Sequence, residues 1–181
     1  MGDRRMMKLN VKVKKVNKDI ELPAYATMGS AGVDLRASIT EPITVHAGET
    51  VVVPTGLAFE IPPQYEMQLR PRSGLAKNYN VTLMNSPATI DSDFRGEVGV
   101  LLHLAPTNDG IISTFVRWLD KHHMIPKTFL QGLKDQTFVI NPNDRIAQAV
   151  FTSYETVMFT EVEELSTTER GEGAYGHSGV K

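Results

Sequence analysis

Two carboxylates stand two positions apart in the segment IDSDFRG, residues 90–96. If that segment is extended, Asp91 and Asp93 lie on one face of the strand. A carboxylate there could accept a proton from a water molecule or hold a hydrated metal ion. A solvated turn, or an ion pair with Arg95, explains the same residues without any chemistry. The spacing alone favours these simpler interpretations.

A second segment with chemical potential is RPRSGLA, residues 70–76. Its guanidinium groups, hydroxyl and glycine suit the binding of phosphate oxygens. The same residue types are also typical of a solvent-exposed loop or the start of a helix. The segment lacks the spacing of a P-loop, and no glycine-rich dinucleotide motif follows a predicted strand. Phosphate binding and a helix start both remain open at this point.

Other kinds of catalytic centre have little support. The chain has no cysteine, which excludes disulfides, thiolate zinc sites and cysteine nucleophiles. His46, His103 and His177 are isolated, and His122 and His123 would point about 100° apart on a helix. We therefore expect no zinc site. No G-x-S-x-G motif is present, so a serine hydrolase is not indicated.

Length and charge limit the classes of protein to consider. At 181 residues, the chain is long enough for one domain with tails. A net charge of -2 argues against binding duplex DNA through many phosphates, so no direct nucleic-acid partner is expected. No window approaches the roughly 18 consecutive apolar residues of a membrane span. We expect a cytoplasmic protein that does not bind membranes.

Short apolar runs separated by turn residues predict a mainly β architecture. The turns contain Ala47-Gly48-Glu49, Pro62-Pro63 and residues 141–144, which are Asn-Pro-Asn-Asp. This pattern is typical of a β-sandwich or barrel. The predicted strands are Leu9–Val16, Val51–Val53, Tyr65–Leu69, Val98–Leu104, Phe138–Ile140 and Ile146–Phe151.

Two regions depart from the β pattern. In residues 107–135, apolar residues including Phe115 and Trp118 recur at helical spacing, and a second apolar cluster (Phe129, Leu130 and Leu133) follows Pro126. We expect one or two short helices there, packed on the surface of a β domain that spans residues 1–165. Residues 166–181 are rich in glycine and predict a flexible arm. That arm could become ordered around a nucleotide.

Taken in order, these segments resemble the five motifs of the trimeric dUTPase family. The first is AGVDLRA (31–37), the second PRSGL (71–75), and the third runs from Asn85 to Phe94. The fourth is RIAQ (145–148), and the glycine-rich tail is similar to the fifth. Together they span nearly the whole chain except residues 107–135.

The resemblance implies a distorted jelly-roll subunit, a homotrimer with active sites between subunits, and a swapped C-terminal arm. It also implies hydrolysis of dUTP to dUMP and pyrophosphate with Mg²⁺. That reaction limits uracil in DNA and supplies dUMP for thymidylate synthesis. Asp91 matches the carboxylate that orients and deprotonates the attacking water. Asp34 matches the aspartate that holds a water of the Mg²⁺ shell.

The remaining roles also follow from the resemblance. Residues matching phosphate contacts are Arg72, Ser73 and Gly74 in the second motif, Gln148 in the fourth, and Arg170 and Ser178 in the arm. Asn85 matches a residue that reads uracil. Phe94 stands where the family usually has tyrosine, whose ring lies under the deoxyribose, and Tyr175 matches the arm aromatic that stacks on uracil.

The chain departs from the family pattern in several places. Phe94 lacks a hydroxyl, so discrimination between deoxyribose and ribose could decrease. Ala174 replaces an arm glycine. The segment between the third and fourth motifs, which includes residues 107–135, is roughly thirty residues longer than the family's usual hairpin, whereas most loops have only a few residues. Similar placement of extra sequence occurs in phage members that bind repressors, so docking of a protein partner is one hypothesis.

Two other functions are alternatives. One is a dCTP deaminase-like relative, which Asn85 and Asp91 fit less well than they fit uracil recognition and water activation. The other is a regulatory protein in which nucleotide occupancy changes how residues 107–135 bind a partner. The chain retains the whole set of Asp34, Arg72, Asp91 and Gln148. This favours an enzyme that still turns over its substrate.

Overall fold

The computed structural model describes residues 8–122, 124 and 136–174. This part of the chain folds into a mainly β structure, which confirms the predicted fold class. The strands are β1 Lys12–Lys15, β2 Val33–Arg36, β3 Ile43–His46, β4 Thr50–Glu60, β5 Tyr65–Arg70, β6 Val81–Leu83, β7 Ala88–Ile90, β8 Glu97–Leu104, β9 Thr137–Ile140 and β10 Arg145–Ser153. The helices are α1 Ser73–Tyr79 and α2 Asn108–Lys121.

The strands form three antiparallel sheets. The first sheet has the order β1-β4-β8-β6, the second has the order β2-β10-β5-β7, and β3 pairs with β9 in a short third sheet. On β1, Lys12 forms an exposed ion pair with Glu60 of β4 at 2.8 Å, which lowers the pKa of that carboxyl group. The first two sheets supply most of the hydrophobic core.

The core forms because alternate residues of the strands are apolar. In β8, Val98, Val100, Leu102 and Leu104 are buried while the intervening residues are less so. In β5, Met67 and Leu69 are buried in the same way. The other face of β5 carries the polar side chains of Glu66, Gln68 and Arg70.

Helix α2 lies in the region that was predicted to be helical. Val116 is 5% exposed, and the Thr114 hydroxyl donates to the carbonyl of Ala47 at 3.0 Å. These contacts attach the helix to the turn after β3, which agrees with a surface element packed on the β domain. The second apolar cluster of this region (Phe129, Leu130 and Leu133) lies outside the described residues. No helix in the described part of the chain is long and apolar enough to cross a bilayer.

After β10 the described chain, residues 154–174, contains neither helix nor strand. Several of its apolar side chains are almost fully exposed: Met158 is 91%, Phe159 is 92% and Leu165 is 87% exposed. This segment therefore contributes little to the core of its own chain.

Candidate active site

Asp34 forms ion pairs with two arginines at the edge of the second sheet. The Nε of Arg72 donates to Asp34 Oδ1 at 3.0 Å, and Nη1 of Arg145 donates to Asp34 Oδ2 at 3.3 Å. Arg72 Nη1 also donates to the carbonyl of Arg145 at 3.2 Å. We refer to Asp34, Arg72 and Arg145 as the arginine–aspartate cluster. With two cations and one anion, it carries an excess of positive charge and suits an anionic ligand.

The register of the second sheet places Gln148 beside this cluster. Gln148 of β10 lies opposite Asp34 of β2 on one side and opposite Arg70 of β5 on the other. A shift of register between Arg145 and Ala147 interrupts the regular alternation of β10. Ile146 and Ala147 are consequently both buried, so Arg145 and Gln148 are both exposed although they are three residues apart.

Ser73 and Gly74 follow Arg72 directly and form the first turn of α1. Arg72 is the N-cap residue of this short helix, and its carbonyl accepts a hydrogen bond from Ala76 at 3.0 Å. The motif therefore begins a helix, which is one of the interpretations that its residue types left open. A Cβ atom added to Gly74 would meet nothing within 4 Å, so the space beside this glycine is open. Both residues are exposed next to the cluster.

The residues of the third motif lie in two exposed turns that flank β7. Asn85 is in the turn between β6 and β7, and Asp91 and Phe94 are in the turn after β7. We call these three residues the Asp91 region. The amide of Phe94 donates to the carbonyl of Asp91 at 3.2 Å, so residues 91–94 form a turn and not an extended strand.

The side chain of Arg95 stabilises this turn by binding two of its backbone carbonyls. Its Nη1 donates to the carbonyl of Ser92 at 2.6 Å and to the carbonyl of Phe94 at 3.0 Å. The simpler interpretation of a turn is correct for the backbone, and these contacts leave the Asp91 carboxylate exposed to solvent. The ring of Phe94 covers Gly96, because a Cβ at Gly96 would lie 2.6 Å from Phe94 Cζ.

Within one chain, the Asp91 region and the arginine–aspartate cluster do not meet. Ile90 pairs with Met67, so Asp91 is level with Glu66 near the start of β5. Arg70 ends the same strand four residues further on, which corresponds to roughly 13 Å at the usual rise of a strand. Arg72 lies beyond Arg70. The structure therefore gathers the predicted residues of the first, second and fourth motifs and separates those of the third.

The predicted arm residues are placed only in part. Arg170 is exposed, and its Nε donates to the carbonyl of Gly173 at 2.8 Å. This local contact closes a turn in which Gly171 also donates to the carbonyl of Thr168 at 3.1 Å. Tyr175 and Ser178 lie outside the described residues.

Two arginines at this site, Arg145 and Arg70, are not among the residues to which the family resemblance gives a role. Arg145 is bound to Asp34, and Arg70 lines a cavity of about 260 Å³ together with Asp34 and Gln148. Ile146 and Ala147 lie in sequence between Arg145 and Gln148, but consecutive apolar residues also occur in regular stretches such as Leu101-Leu102 of β8, so they are no specific signal for the bulge. The alternation of Glu66, Gln68 and Arg70 on β5 predicts that their side chains share one face, but it does not predict which strand lies beside them.

The side chains at this site suit a metal ion that is bound mainly through water. Among the described residues there is no group of three or more histidine, aspartate or glutamate side chains that could hold a metal ion. Both oxygens of Asp34 already accept hydrogen bonds from arginines. A carboxylate oxygen can still accept a further hydrogen bond from a metal-bound water. The site thus fits a hydrated Mg²⁺ held mainly by water and by a ligand's phosphates.

Comparison with known proteins places these motifs in a family. The family model for dUTPase matches residues 18–115 and 125–179. A deoxyuridine 5'-triphosphate nucleotidohydrolase of Fusobacterium nucleatum is 42% identical over 174 residues, covering 96% of this chain and 99% of the relative. The corresponding protein of Caldanaerobacter subterraneus is 39% identical over 176 residues, covering 96% and 100%.

Solved structures give the same result. The dUTPase of Staphylococcus bacteriophage 80alpha in complex with dUpNHpp has a TM-score of 0.73 to this chain and is 25% identical to it, covering 94% of this chain and 99% of the phage protein. The family model covers far more than half of this chain, and both bacterial relatives exceed 30% identity over nearly all of it. The chain therefore belongs to the dUTPase family.

Proposed function

We propose that this protein hydrolyses dUTP to dUMP and pyrophosphate, with Mg²⁺ as cofactor and Asp91 as the base that activates water. The observation that carries this proposal is the convergence of three motifs: Arg72 binds Asp34, and Gln148 lies opposite Asp34 in the second sheet. The names of the bacterial relatives support dUTP as the substrate.

The phosphates bind at the arginine–aspartate cluster. Arg72 is held by Asp34 and by the carbonyl of Arg145, so its guanidinium group is oriented before the substrate arrives. Ser73 and Gly74 leave open space beside it, where a phosphate oxygen can approach closely. Arg72 and Gln148 then stabilise the charge that develops on the phosphate oxygens during transfer.

Asp91 takes a proton from water as the water oxygen attacks the α-phosphorus. The bond from the α-phosphorus to the bridging oxygen breaks, and the electron pair leaves with the pyrophosphate. The exposed carboxylate of Asp91 is accessible to water and to substrate. Bound Mg²⁺ would neutralise phosphate charge, and Asp34 would hold it through a metal-bound water.

The base and sugar are bound by the rest of the Asp91 region. Asn85 offers an amide that can both donate to and accept from the uracil edge. Phe94 is 44% exposed and its ring lies against Gly96, so it presents a surface on which deoxyribose can pack. Tyr175 stacks on uracil, and Arg170 and Ser178 contact the phosphates when the arm closes.

A homotrimer completes the site. The distance between Asp91 and Arg72 within one chain supports a site to which one copy contributes the cluster and another contributes the Asp91 region. The exposed apolar side chains of Met158, Phe159 and Leu165 support a segment that packs on a neighbouring copy and carries the arm there.

The direct test is pyrophosphate release from dUTP, dCTP, dTTP and UTP, with Mg²⁺ or with excess chelator. We expect strong release from dUTP alone and only with the metal. Release of ammonia from dCTP would instead identify a deaminase. Absence of release from every nucleotide would favour the regulatory function.

A second candidate function is the docking of a protein partner on α2. Ile111, Phe115 and Trp118 are 54%, 59% and 51% exposed, and the rings of Phe115 and Trp118 are stacked with centroids 6.3 Å apart. These side chains line an open, apolar groove with Pro106 and Thr114. An exposed aromatic patch of this kind is typical of protein interaction sites.

Substitutions on the exposed face and on the buried face of α2 test whether the exposed face is needed for the stability of the fold. The double variant Phe115→Ser, Trp118→Ser should keep the stability and dUTP turnover of the parent, whereas Val116→Ser should unfold more easily because Val116 is buried. If the double variant unfolds as readily as Val116→Ser, the exposed face has a structural role and the docking function loses its support.

A further inference from the structure

Three polar side chains on the outer face of β5 are joined in a row. Nη2 of Arg70 donates to Oε1 of Gln68 at 2.8 Å, and Nε2 of Gln68 donates to Oε1 of Glu66 at 2.7 Å. The amide of Gln68 thus accepts from a cation and donates to an anion. These two hydrogen bonds fix the orientation of the Gln68 amide and hold one nitrogen of the Arg70 guanidinium group in place.

The row ends at the substrate site. Arg70 lines the cavity of about 260 Å³ that also contains Asp34 and Gln148. In the register of the sheet, Arg70, Gln148 and Asp34 lie side by side on three neighbouring strands. A guanidinium group has five N–H donors, so a group anchored through one nitrogen still has donors for a ligand in this cavity.

The charged residues at the cavity favour the binding of an anion. Asp34 is already paired with Arg72 and Arg145, so it does not neutralise Arg70. The other residues that line the cavity are uncharged, and Ala24, Ala26 and Ala31 leave room beside the guanidinium group. A phosphate group carries the charge and the oxygen acceptors that this cation lacks.

We propose that Arg70 binds the β- and γ-phosphates of the substrate, and that Gln68 and Glu66 are positioning residues for it. This inference rests on the proposed function. The reacting α-phosphorus must lie beside Asp91, which does not line this cavity. Arg70 and Asp34 lie on strands that β10 separates, with backbones roughly 10 Å apart at the usual strand spacing, so a row of phosphate groups can extend across Gln148 from one residue to the other. Arg70 therefore meets the phosphates that leave as pyrophosphate.

Binding measurements on Arg70→Gln test this assignment, with Lys14→Gln as the matched loss of one positive charge. Lys14 is exposed on β1 in the other sheet. The probes are dUpNHpp and dUMP, each titrated by calorimetry with Mg²⁺. Arg70→Gln should weaken dUpNHpp about tenfold or more, because a charge-assisted hydrogen bond is lost, and leave dUMP nearly unchanged. Lys14→Gln should change neither.

Two further variants examine the row. Arg70→Lys keeps the charge but cannot bond Gln68 and a phosphate in one planar group, so it should restore only part of the affinity for dUpNHpp. Gln68→Met removes the anchor without changing the net charge, and it should raise KM for dUTP about threefold with little change in kcat. A Gln68→Met variant with the parent KM would overturn the positioning role.

Other outcomes overturn the assignment of Arg70 itself. Equal loss of dUpNHpp and dUMP affinity in Arg70→Gln would mean that the cavity has been distorted, and unchanged affinity for both would mean that Arg70 does not touch the phosphates. Turnover of dUTP by the parent is measured alongside. If the parent is inactive, the proposed function fails; if the parent is active and Arg70→Gln matches it in binding and KM, only this inference fails.

Discussion

The arginine–aspartate cluster and the Asp91 region differ in how the chain holds them. Asp34 and Arg72 are 19% and 23% exposed, and an ion pair of 3.0 Å joins Asp34 on β2 to Arg72 at the start of α1. Asn85, Asp91 and Phe94 are exposed in turns that are stabilised mainly through the backbone. Under the proposed function, one chain thus assembles the phosphate-binding half of a site by itself and presents the other half on its surface.

Under the proposed function, this difference is the reason to expect a site that is completed by a second copy. Anion binding needs several cations in fixed positions, which strand register within one sheet can provide. Activation of water needs one carboxylate close to the reacting phosphorus, and another copy can supply it. Each half can then be changed separately, so substitutions in the two regions should have different kinetic signatures.

The largest effect is expected from Asp91→Asn. An amide cannot take the proton from water, so kcat should fall about 10²-fold to 10⁴-fold, the usual contribution of a general base. Binding of dUpNHpp should be nearly unchanged, because the phosphate-binding half is intact. Steady-state kinetics and calorimetry measure the two quantities.

Asp93→Asn is the matched control for that variant. Asp93 lies in the same exposed turn and carries the same charge. We expect it to keep kcat within about threefold of the parent, as is usual for an exposed position outside the chemistry. If Asp91→Asn retained the kcat of Asp93→Asn, Asp91 would not be the base.

A smaller effect is expected from Arg72→Lys. Lysine keeps the charge but cannot bond both Asp34 and the carbonyl of Arg145 in one plane, as Arg72 does at 3.0 and 3.2 Å. The value of kcat/KM for dUTP should fall about 10-fold to 100-fold, which corresponds to the roughly 1.5–3 kcal/mol of a hydrogen bond to a charged group.

Arg36→Lys is the control for the arginine cluster. Arg36 lies on β2 as Asp34 does, and its Nη1 makes a hydrogen bond to the carbonyl of Asn143 at 2.9 Å. Its replacement should change kcat/KM less than about threefold, since a single bond to a carbonyl can be made by lysine. Equal losses in both variants would show that the orientation of Arg72 has no special importance.

The same two regions show what the sequence could predict. Apolar alternation predicted the longer strands, including β5, β8 and β10, because each buries one face. It did not predict β2, β3, β6 and β7, which have three or four residues and are stabilised by pairing with distant strands. The helix start at Ser73 was left open, because α1 is short and Arg72 provides no side-chain cap.

For the site, motif resemblance identified Asp34, Arg72, Asn85, Asp91 and Gln148 but not their spatial grouping. The grouping depends on register: Gln148 lies opposite Asp34 only because a bulge follows Arg145. The same bulge brings Arg145 to Asp34. The importance of Arg70 also depends on which strand lies beside β5. These relations are long-range, and a single sequence does not contain them in readable form.

The smallest effect is expected from Gly96→Ala, which disturbs the Asp91 region without touching its polar groups. The new Cβ would lie 2.6 Å from Cζ and 3.0 Å from Cε2 of Phe94, so the ring must move away. The ring is partly exposed and can rotate, so the cost in stability should be less than about 1 kcal/mol. A displaced ring leaves more room for a ribose hydroxyl, and the ratio of kcat/KM for dUTP to that for UTP should fall severalfold.

Gly29→Ala separates this steric effect from the general cost of replacing a glycine. A Cβ at Gly29 would meet nothing within 4 Å, so this variant should keep the ratio of the parent. An unchanged ratio in Gly96→Ala would mean that the ring of Phe94 does not approach the sugar. In that case discrimination against ribose would have to come from the neighbouring copy, and the Asp91 region would supply only the catalytic carboxylate of Asp91 and the uracil contact of Asn85.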